Sequence, residues 1–131
     1  MSSVAKQLKF LNKISSTTKQ AQILLDAAKY SGIKLTFQVE NHHGHMGARK
    51  FWHEYLPTLQ FYNPNFKINV IRIKNENKKF QGVPCILEIL SNDNNVINSI
   101  DMQNKTDDTI MNEFLKKIEH KPVPEESLIK I

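Results

Sequence analysis

Residues 33–39 read IKLTFQV, a strict alternation of apolar and polar side chains. A period of two is typical of a β-strand with one buried face, because successive side chains of a strand point to opposite sides of the sheet. A polar loop, NHHGHM, follows at 41–46, and the aromatic segment GARKFWHEY at 47–55 predicts a helix that Pro57 must kink or end. This strand, loop and helix mark the start of the folded domain.

The remaining segments complete an α/β pattern. Two helical segments are predicted before the first strand, the second covering about residues 17–30. Downstream, the periodicity predicts strands at 67–74, 85–90 and 96–102 and a closing helix that Thr106 caps. The order α-α-β-α-β-β-β-α gives a four-stranded mixed sheet flanked by helices. This is the thioredoxin-like plan with an extra N-terminal helical segment.

The length and cysteine count fit one domain in a reducing compartment. The chain has 131 residues, and its only cysteine, Cys85, excludes an internal disulfide. No apolar run approaches the ~18 residues that a membrane span needs, so we expect no span. We divide the chain into a basic N-terminal helical segment (1–32), a thioredoxin-like domain (33–120) and a C-terminal tail (121–131).

The net charge of +5 hides a split along the chain. Residues 1–82 carry 13 Lys and Arg against four acids, a net charge of +9. Residues 83–131 carry five Lys against nine acids, a net charge of −4. Such asymmetry favours a polyanionic partner, and nucleic acid over a membrane surface. A solvated lysine-rich surface is the alternative.

The first 25 residues contain no acid. Their bases are Lys6, Lys9, Lys13 and Lys19. Together with many hydroxyl groups and apolar side chains at helical spacing, this composition is typical of a mitochondrial import signal, although such signals favour arginine. It also suits an ordinary helix whose lysines face solvent or a polyanion. The sequence leaves open whether the segment is cleaved.

A histidine cluster is the first candidate for chemistry. His42, His43 and His45, with His53 eight residues further on, are possible metal ligands. Adjacent histidines in an extended loop point apart, however, and no carboxylate or cysteine follows at ligand spacing. We therefore predict no metal site and interpret these side chains as surface or RNA-contacting histidines, with the role of the first three left open.

Redox catalysis is the second candidate, and it lacks its nucleophile. In a thioredoxin-like fold the reactive cysteines lie where the first core strand gives way to its helix. Here that position is filled by residues 41–47, which contain no cysteine. Cys85 falls in an apolar strand, where a buried, inert thiol is the ordinary outcome. We therefore predict a protein that is not an enzyme, with no cofactor and no small-molecule substrate.

A pattern of short motifs carries a family resemblance. The segments are MGARKFW at 46–52, Leu-Pro at 56–57, Leu-Gln at 59–60 and Asn-Pro at 63–64. Together they resemble the family of small thioredoxin-like mitochondrial ribosomal proteins, to which an accessory subunit of respiratory complex I also belongs. The resemblance covers about residues 33–118. The tryptophan within the first block and the small size are most similar to the fungal large-subunit branch.

The resemblance implies a non-catalytic component of the mitochondrial ribosome in the matrix, in contact with ribosomal RNA and other mitochondrial ribosomal proteins. It assigns residues 47–50 to a shared helix start and Pro84 to the proline before a core strand. The sequence leaves the Val83-Pro84 bond cis or trans. The complex I relatives tend to have a pair of cysteines, so the single Cys85 counts against that branch.

The candidate RNA-binding residues are the bases of the first part of the chain. We predict phosphate contacts from Lys6, Lys9, Lys13, Arg49, Lys50, Lys67, Arg72, Lys74, Lys78 and Lys79. Such contacts act mainly through charge and carry little base specificity. The alternatives to a ribosomal role are an accessory protein–protein module of a respiratory complex and a redox-inactive thioredoxin-like binding protein.

Overall fold

The structure is a computed structural model that describes residues 19–40, 43–77, 79–80 and 82–127. Its strands are β1 (Ile23–Leu25), β2 (Tyr30–Gln38), β3 (Lys67–Ile73), β4 (Ile86–Ser91), β5 (Val96–Asp101) and β6 (His120–Pro122). Its α-helices are α1 (Met46–Glu54), α2 (Leu56–Tyr62) and α3 (Asp107–Lys117), and short 3-10 helices cover Lys19–Ala21 and Glu125–Ser127. None of the described helices is long and apolar enough to cross a membrane.

The main sheet has the strand order β3-β2-β4-β5. Strand β2 lies parallel to β3 and antiparallel to β4, and β4 forms an antiparallel pair with β5. The parallel pair requires a crossover, which α1 and α2 supply. The predicted four-stranded mixed sheet is therefore confirmed. A separate two-stranded sheet pairs β1 with β6.

One face of the main sheet, here called the inner face, carries the core. Ile33, Leu35 and Phe37 alternate along β2 and are completely buried. In register beside them lie Leu87 and Ile89 of β4, which are equally buried. The α-helices cover this face and bring Phe51 and Phe114 into an edge-to-face contact with ring centroids 6.4 Å apart. Burial of the alternating residues of β2 thus fixes both the register of the sheet and the side on which the helices pack.

The closing helix forms as its sequence predicts. Thr106 precedes α3, and its hydroxyl oxygen accepts a hydrogen bond from the Thr109 N–H at 3.2 Å. The acids of the first turn and the lysines of the last turn both complement the helix dipole. The break at Pro57 is also confirmed, because α1 ends at Glu54 and the proline lies in the first turn of α2. A proline costs little there, since the first N–H groups of a helix have no intrahelical partner.

The predicted helix over residues 17–30 is wrong for its described part, residues 19–30. A short 3-10 turn, strand β1, a turn at 26–29 and the start of β2 occupy it instead. The turn is held by Asp26, whose carboxylate accepts from the Ala28 N–H at 3.0 Å. Helix propensity is a weak preference, and here pairing with β6 outweighs it. The division at residues 32 and 120 stays a prediction, and its first boundary falls inside β2.

Asn63 holds β1 in place. Its side-chain oxygen accepts from the Leu25 N–H at 2.8 Å, and its amide nitrogen donates to the Ile23 carbonyl at 2.8 Å and to the Leu59 carbonyl at 2.9 Å. The N–H and carbonyl that it binds point to one side of β1. The amide group thus pairs with β1 as a neighbouring strand would, on the edge opposite β6.

We expect Phe51→Ala to lower the free energy of unfolding by about 3–5 kcal/mol, because a large ring is removed from a fully buried site. Urea unfolding followed by circular dichroism measures this. Lys50→Ala, in the same helix but exposed, is the control and should change stability by less than about 0.5 kcal/mol. A loss below ~1 kcal/mol for the phenylalanine variant would place its ring outside the core.

We expect Asn63→Asp to cost about 2–3 kcal/mol, since the carboxylate still accepts from Leu25 but can no longer donate to two carbonyl groups. Hydrogen exchange at the Leu25 amide should accelerate more than exchange in β2. The exposed Asn65→Asp carries the same charge change as a control. Equal stability of the two variants would contradict the role given to Asn63.

Candidate nucleic-acid interface

Four of the predicted basic residues lie at the end of the sheet where the parallel strands β2 and β3 both finish. From β2 the chain turns through residues 39–45 into α1, and from β3 it enters the loop at 74–85. Side chains tie the two segments together. Asn75 donates its backbone N–H to the Glu40 carboxylate at 2.9 Å and its side-chain amide to the Gln38 side-chain oxygen at 3.3 Å. Arg49, Lys50, Lys74 and Lys79 therefore lie at one end of the sheet, which we call the basic end.

The helix start at 47–51 divides its residues between core and solvent. Gly47 lies so close to the turn before α3 that a Cβ atom there would overlap the Lys105 carbonyl oxygen. Ala48 and Phe51 are fully buried, whereas Arg49 and Lys50 are exposed. The buried side chains pack the helix against the core. The two exposed basic side chains therefore project outward from a fixed backbone.

Arg72 occupies a different environment from the other predicted contacts. It pairs in register with Phe37 and so lies on the inner face. Its guanidinium stacks 5.4 Å from the Phe37 ring centroid and 5.2 Å from that of Trp52, and it donates to the Val39 carbonyl at 3.0 Å. These contacts show that Arg72 packs the rim of the core. A phosphate contact from it stays a prediction.

The other predicted bases are spread more widely. Lys67 begins β3, about 20 Å along the strand from the basic end. Lys74 forms an exposed ion pair with Glu76 at 3.0 Å, which contributes little to stability in water. The remaining predicted contacts lie outside the described residues: Lys6, Lys9, Lys13 and Lys78.

The histidines differ in environment, which sequence alone did not reveal. The interpretation as a surface or RNA-contacting histidine is wrong for His45, which is 1% exposed. Its Nδ1 accepts from the Gln38 N–H at 3.1 Å, so it joins the loop to the end of β2. The His43 carbonyl accepts from the Gln103 side chain at 2.9 Å. His42 lies outside the described residues. No group of three potential metal ligands lies together in the part of the chain that the structure describes.

Phe80 is a residue that sequence reasoning missed. Its side chain is 53% exposed, unusual for phenylalanine, and it follows Lys79 at the basic end. Exposed aromatic rings next to basic residues are typical of surfaces that bind unpaired nucleotides, because the ring stacks on a nucleobase and the basic residue binds the phosphate. The signal was present in the sequence as an aromatic residue inside the polar loop NKKFQG at 77–82.

Cys85 has the environment of a structural thiol. It is 6% exposed, just before β4, and its backbone carbonyl accepts from the Met102 N–H at 2.8 Å. Burial raises the pKa of the thiol to about 12, and the charge of Asp101 adds to the shift. The peptide bond that precedes Pro84 is trans. Cys85 is thus a buried thiol before β4, and it does not lie at the start of α1, where the redox centre of the thioredoxin-like plan would be.

The strand order also separates the two charge classes. Strands β3 and β2 come from the basic part of the sequence, whereas β4 and β5 come from the acidic part. In the order β3-β2-β4-β5, the two strands from residues 1–82 therefore form one half of the sheet, and the two strands from residues 83–131 form the other half. The charge split along the sequence becomes a split across the sheet.

Comparison with known proteins finds relatives of this chain. The family described as mitochondrial ribosomal protein L51 / S25 / CI-B8 domain matches residues 48–107. The chain is 63% identical to large ribosomal subunit protein mL61 of Saccharomyces cerevisiae, over all 131 residues and 95% of that protein. It is 35% identical to large ribosomal subunit protein mL61 of Schizosaccharomyces pombe, over 96 residues that make up 71% of this chain and 67% of that protein.

These relatives define a structural and non-enzymatic class, the mitochondrial ribosomal proteins. The chain belongs to the mitochondrial ribosomal protein L51 / S25 / CI-B8 family, and within it resembles the fungal large-subunit members. The family recognised from the motifs at 46–64 is thus confirmed.

The buried thiol generates a pH prediction. Above about pH 8.5 an unfolded chain loses the Cys85 proton while the folded chain keeps it, so the free energy of unfolding should fall as pH rises. In Cys85→Ala the fall should be smaller. Burial also raises the pKa of Tyr55, which is hydrogen-bonded to Asp108, so some decline remains in the variant. Urea unfolding at several pH values measures both slopes, and equal slopes would contradict the assignment.

Proposed function

We propose that the chain is a component of the large subunit of the mitochondrial ribosome, located in the matrix, that binds ribosomal RNA through its basic end. The observation that supports this most directly is the helix start, where Arg49 and Lys50 project from a backbone that Gly47 and Phe51 fix against the core. Because the backbone is already fixed, only the two side chains lose conformational freedom when Arg49 and Lys50 bind phosphates. Ribosomal RNA is the polyanion that a protein of this family would meet.

The two kinds of contact at the basic end have separate roles in this proposal. Lysine and arginine neutralise phosphates, which positions the protein without reading sequence. Phe80 stacks on an unpaired base, which a duplex would not offer. The partner at this end is therefore an RNA region that includes an unpaired nucleotide. Lys6, Lys9, Lys13 and Lys78 add phosphate contacts in this proposal.

The fold is best described as thioredoxin-like. The strand order, the parallel β2–β3 pair and the β4–β5 hairpin followed by a helix on the inner face support this description. The position of the redox centre in that plan is the turn before α1, where His43, Gly44 and His45 lie. In this proposal the fold acts as a scaffold, and other mitochondrial ribosomal proteins bind it alongside the RNA.

Association with the ribosome is tested by sedimentation of a tagged chain from mitochondrial extracts on a sucrose gradient. The proposal expects co-migration with the large subunit, and this co-migration should persist when lowered magnesium separates the large subunit from the small one. Migration with a respiratory complex would replace this function with an accessory role in that complex.

The RNA contact is tested by binding of the purified chain to large-subunit ribosomal RNA over a range of salt concentrations. The double variant Arg49→Ala/Lys50→Ala should reduce the slope of log affinity against log salt by about 1.5, since each phosphate contact contributes ~0.7–0.9. Phe80→Ala should weaken binding by about 1–3 kcal/mol with the slope unchanged, because stacking releases no counterions.

The matched control is Lys116→Ala/Lys121→Ala, which removes two exposed charges from the acidic part of the sequence. It should leave the slope within error of the unaltered chain. A flat salt response of the unaltered chain would contradict the electrostatic contact. An equal loss of slope in both double variants would mean that net charge, rather than the basic end, determines binding.

A further inference from the structure

The hairpin β4–β5 presents an apolar surface on the outer face of the sheet, opposite the helices. Ile86 and Leu90 of β4 alternate with the buried Leu87 and Ile89, so they point to the outer face. Both are half-buried. The α-helices of the described residues pack on the inner face, and these two side chains therefore lie outside the core that the helices cover.

An irregularity in β5 enlarges this surface. Leu90 pairs with Val96, and the register shifts between Ile89 and Leu90. Val96 therefore shares the outer face with Leu90. Asn98 pairs with the inward Ile89, so alternation puts Ile97 on the outer face as well. Both β5 residues are 51% exposed, which leaves two adjacent branched apolar side chains in solvent.

The charge of the hairpin decides which partner this surface fits. Residues 86–101 contain Glu88, Asp93 and Asp101 but no lysine or arginine. On the outer face Lys34 of β2 lies in register with Glu88, and the Lys117 ammonium of α3 donates to the Ser99 carbonyl at 2.8 Å. Asp93 and Asp101 still leave the hairpin with a net negative charge. A surface that is apolar and acidic repels the phosphates of RNA, whereas it complements a protein surface that is apolar and basic.

The mode of contact follows from the same lysine. Strand β5 is an edge strand of the sheet, and Lys117 binds its Ser99 carbonyl. This contact hinders the pairing of another strand with that edge. The outer face has no such cover from the described helices. The partner therefore lies on the face of the hairpin and not along its edge.

From these observations we infer that Ile86, Leu90, Val96 and Ile97 form the docking surface for a neighbouring protein, through a segment that carries apolar side chains and lysine or arginine but few acids. The inference deepens the proposed function and rests on it. The chain then binds RNA at the basic end and a protein on the acidic half of the sheet, so the two partners occupy separate surfaces.

The test is site-specific crosslinking in intact mitochondria. Photoreactive benzoylphenylalanine replaces Ile97 in one strain and Lys50 in another, and crosslinked peptides and nucleotides are identified by mass spectrometry. We expect position 97 to crosslink a protein segment with apolar and basic residues, and position 50 to crosslink RNA. A crosslink from position 97 to RNA, to residues 1–18 of the same chain or to a second copy would overturn the inference, as would no crosslink.

A pair of variants then tests the chemistry of the contact. Ile97→Lys should reduce recovery of the identified partner by about tenfold, the effect of losing one anchoring residue and adding charge repulsion. Asn98→Lys adds the same charge one residue further along β5, on the inner side, and should leave recovery unchanged. Unchanged unfolding midpoints in both variants exclude misfolding. Equal recovery with both variants would overturn the inference.

The two proposals fail in distinguishable ways. Absence of the unaltered chain from the large subunit on the gradient contradicts the proposed function, whatever position 97 contacts. Co-migration with the large subunit together with a crosslink from position 97 to RNA retains the function and rejects the protein-docking surface.

Discussion

The structure depends on how closely α1 approaches the turn before α3. Gly47 lies against the Lys105 carbonyl, at a separation that leaves no room for a Cβ atom. This close approach brings Ala48 and Phe51 into the core, where Phe51 contacts Phe114 of α3. Tyr55 extends the contact through its hydrogen bond to Asp108. A helix held further away would lose this burial, and it would no longer aim its exposed bases in one direction.

The elements with strong local signals could be predicted from the sequence. The alternation in β2 and the capped α3 are examples, because their patterns repeat over several residues and their end signals agree. Strand β1 could not be predicted in the same way. Three residues show no periodicity, and what makes them a strand is pairing with β6 and with the Asn63 amide, both distant in sequence.

The candidate site shows the same division between local and distant information. Arg49 and Lys50 could be predicted as phosphate contacts, since both are basic residues in the first part of the chain. The packing of Arg72 between two aromatic rings could not be foreseen, because it depends on which face of β3 meets α1. The burial of His45 also depends on tertiary contact, here with the end of β2. The residue type determines the chemistry of these side chains, and the tertiary structure determines which of them pack in the protein and which face solvent.

The small sheet of β1 and β6 has a consequence for the order of folding. Leu25 pairs with His120, about one hundred residues later, while the β4–β5 hairpin joins strands only four residues apart. Closing a long loop costs more entropy, so contacts distant in sequence form after local ones. During synthesis Asn63 can hold β1 before β6 exists, because it emerges from the ribosome much earlier.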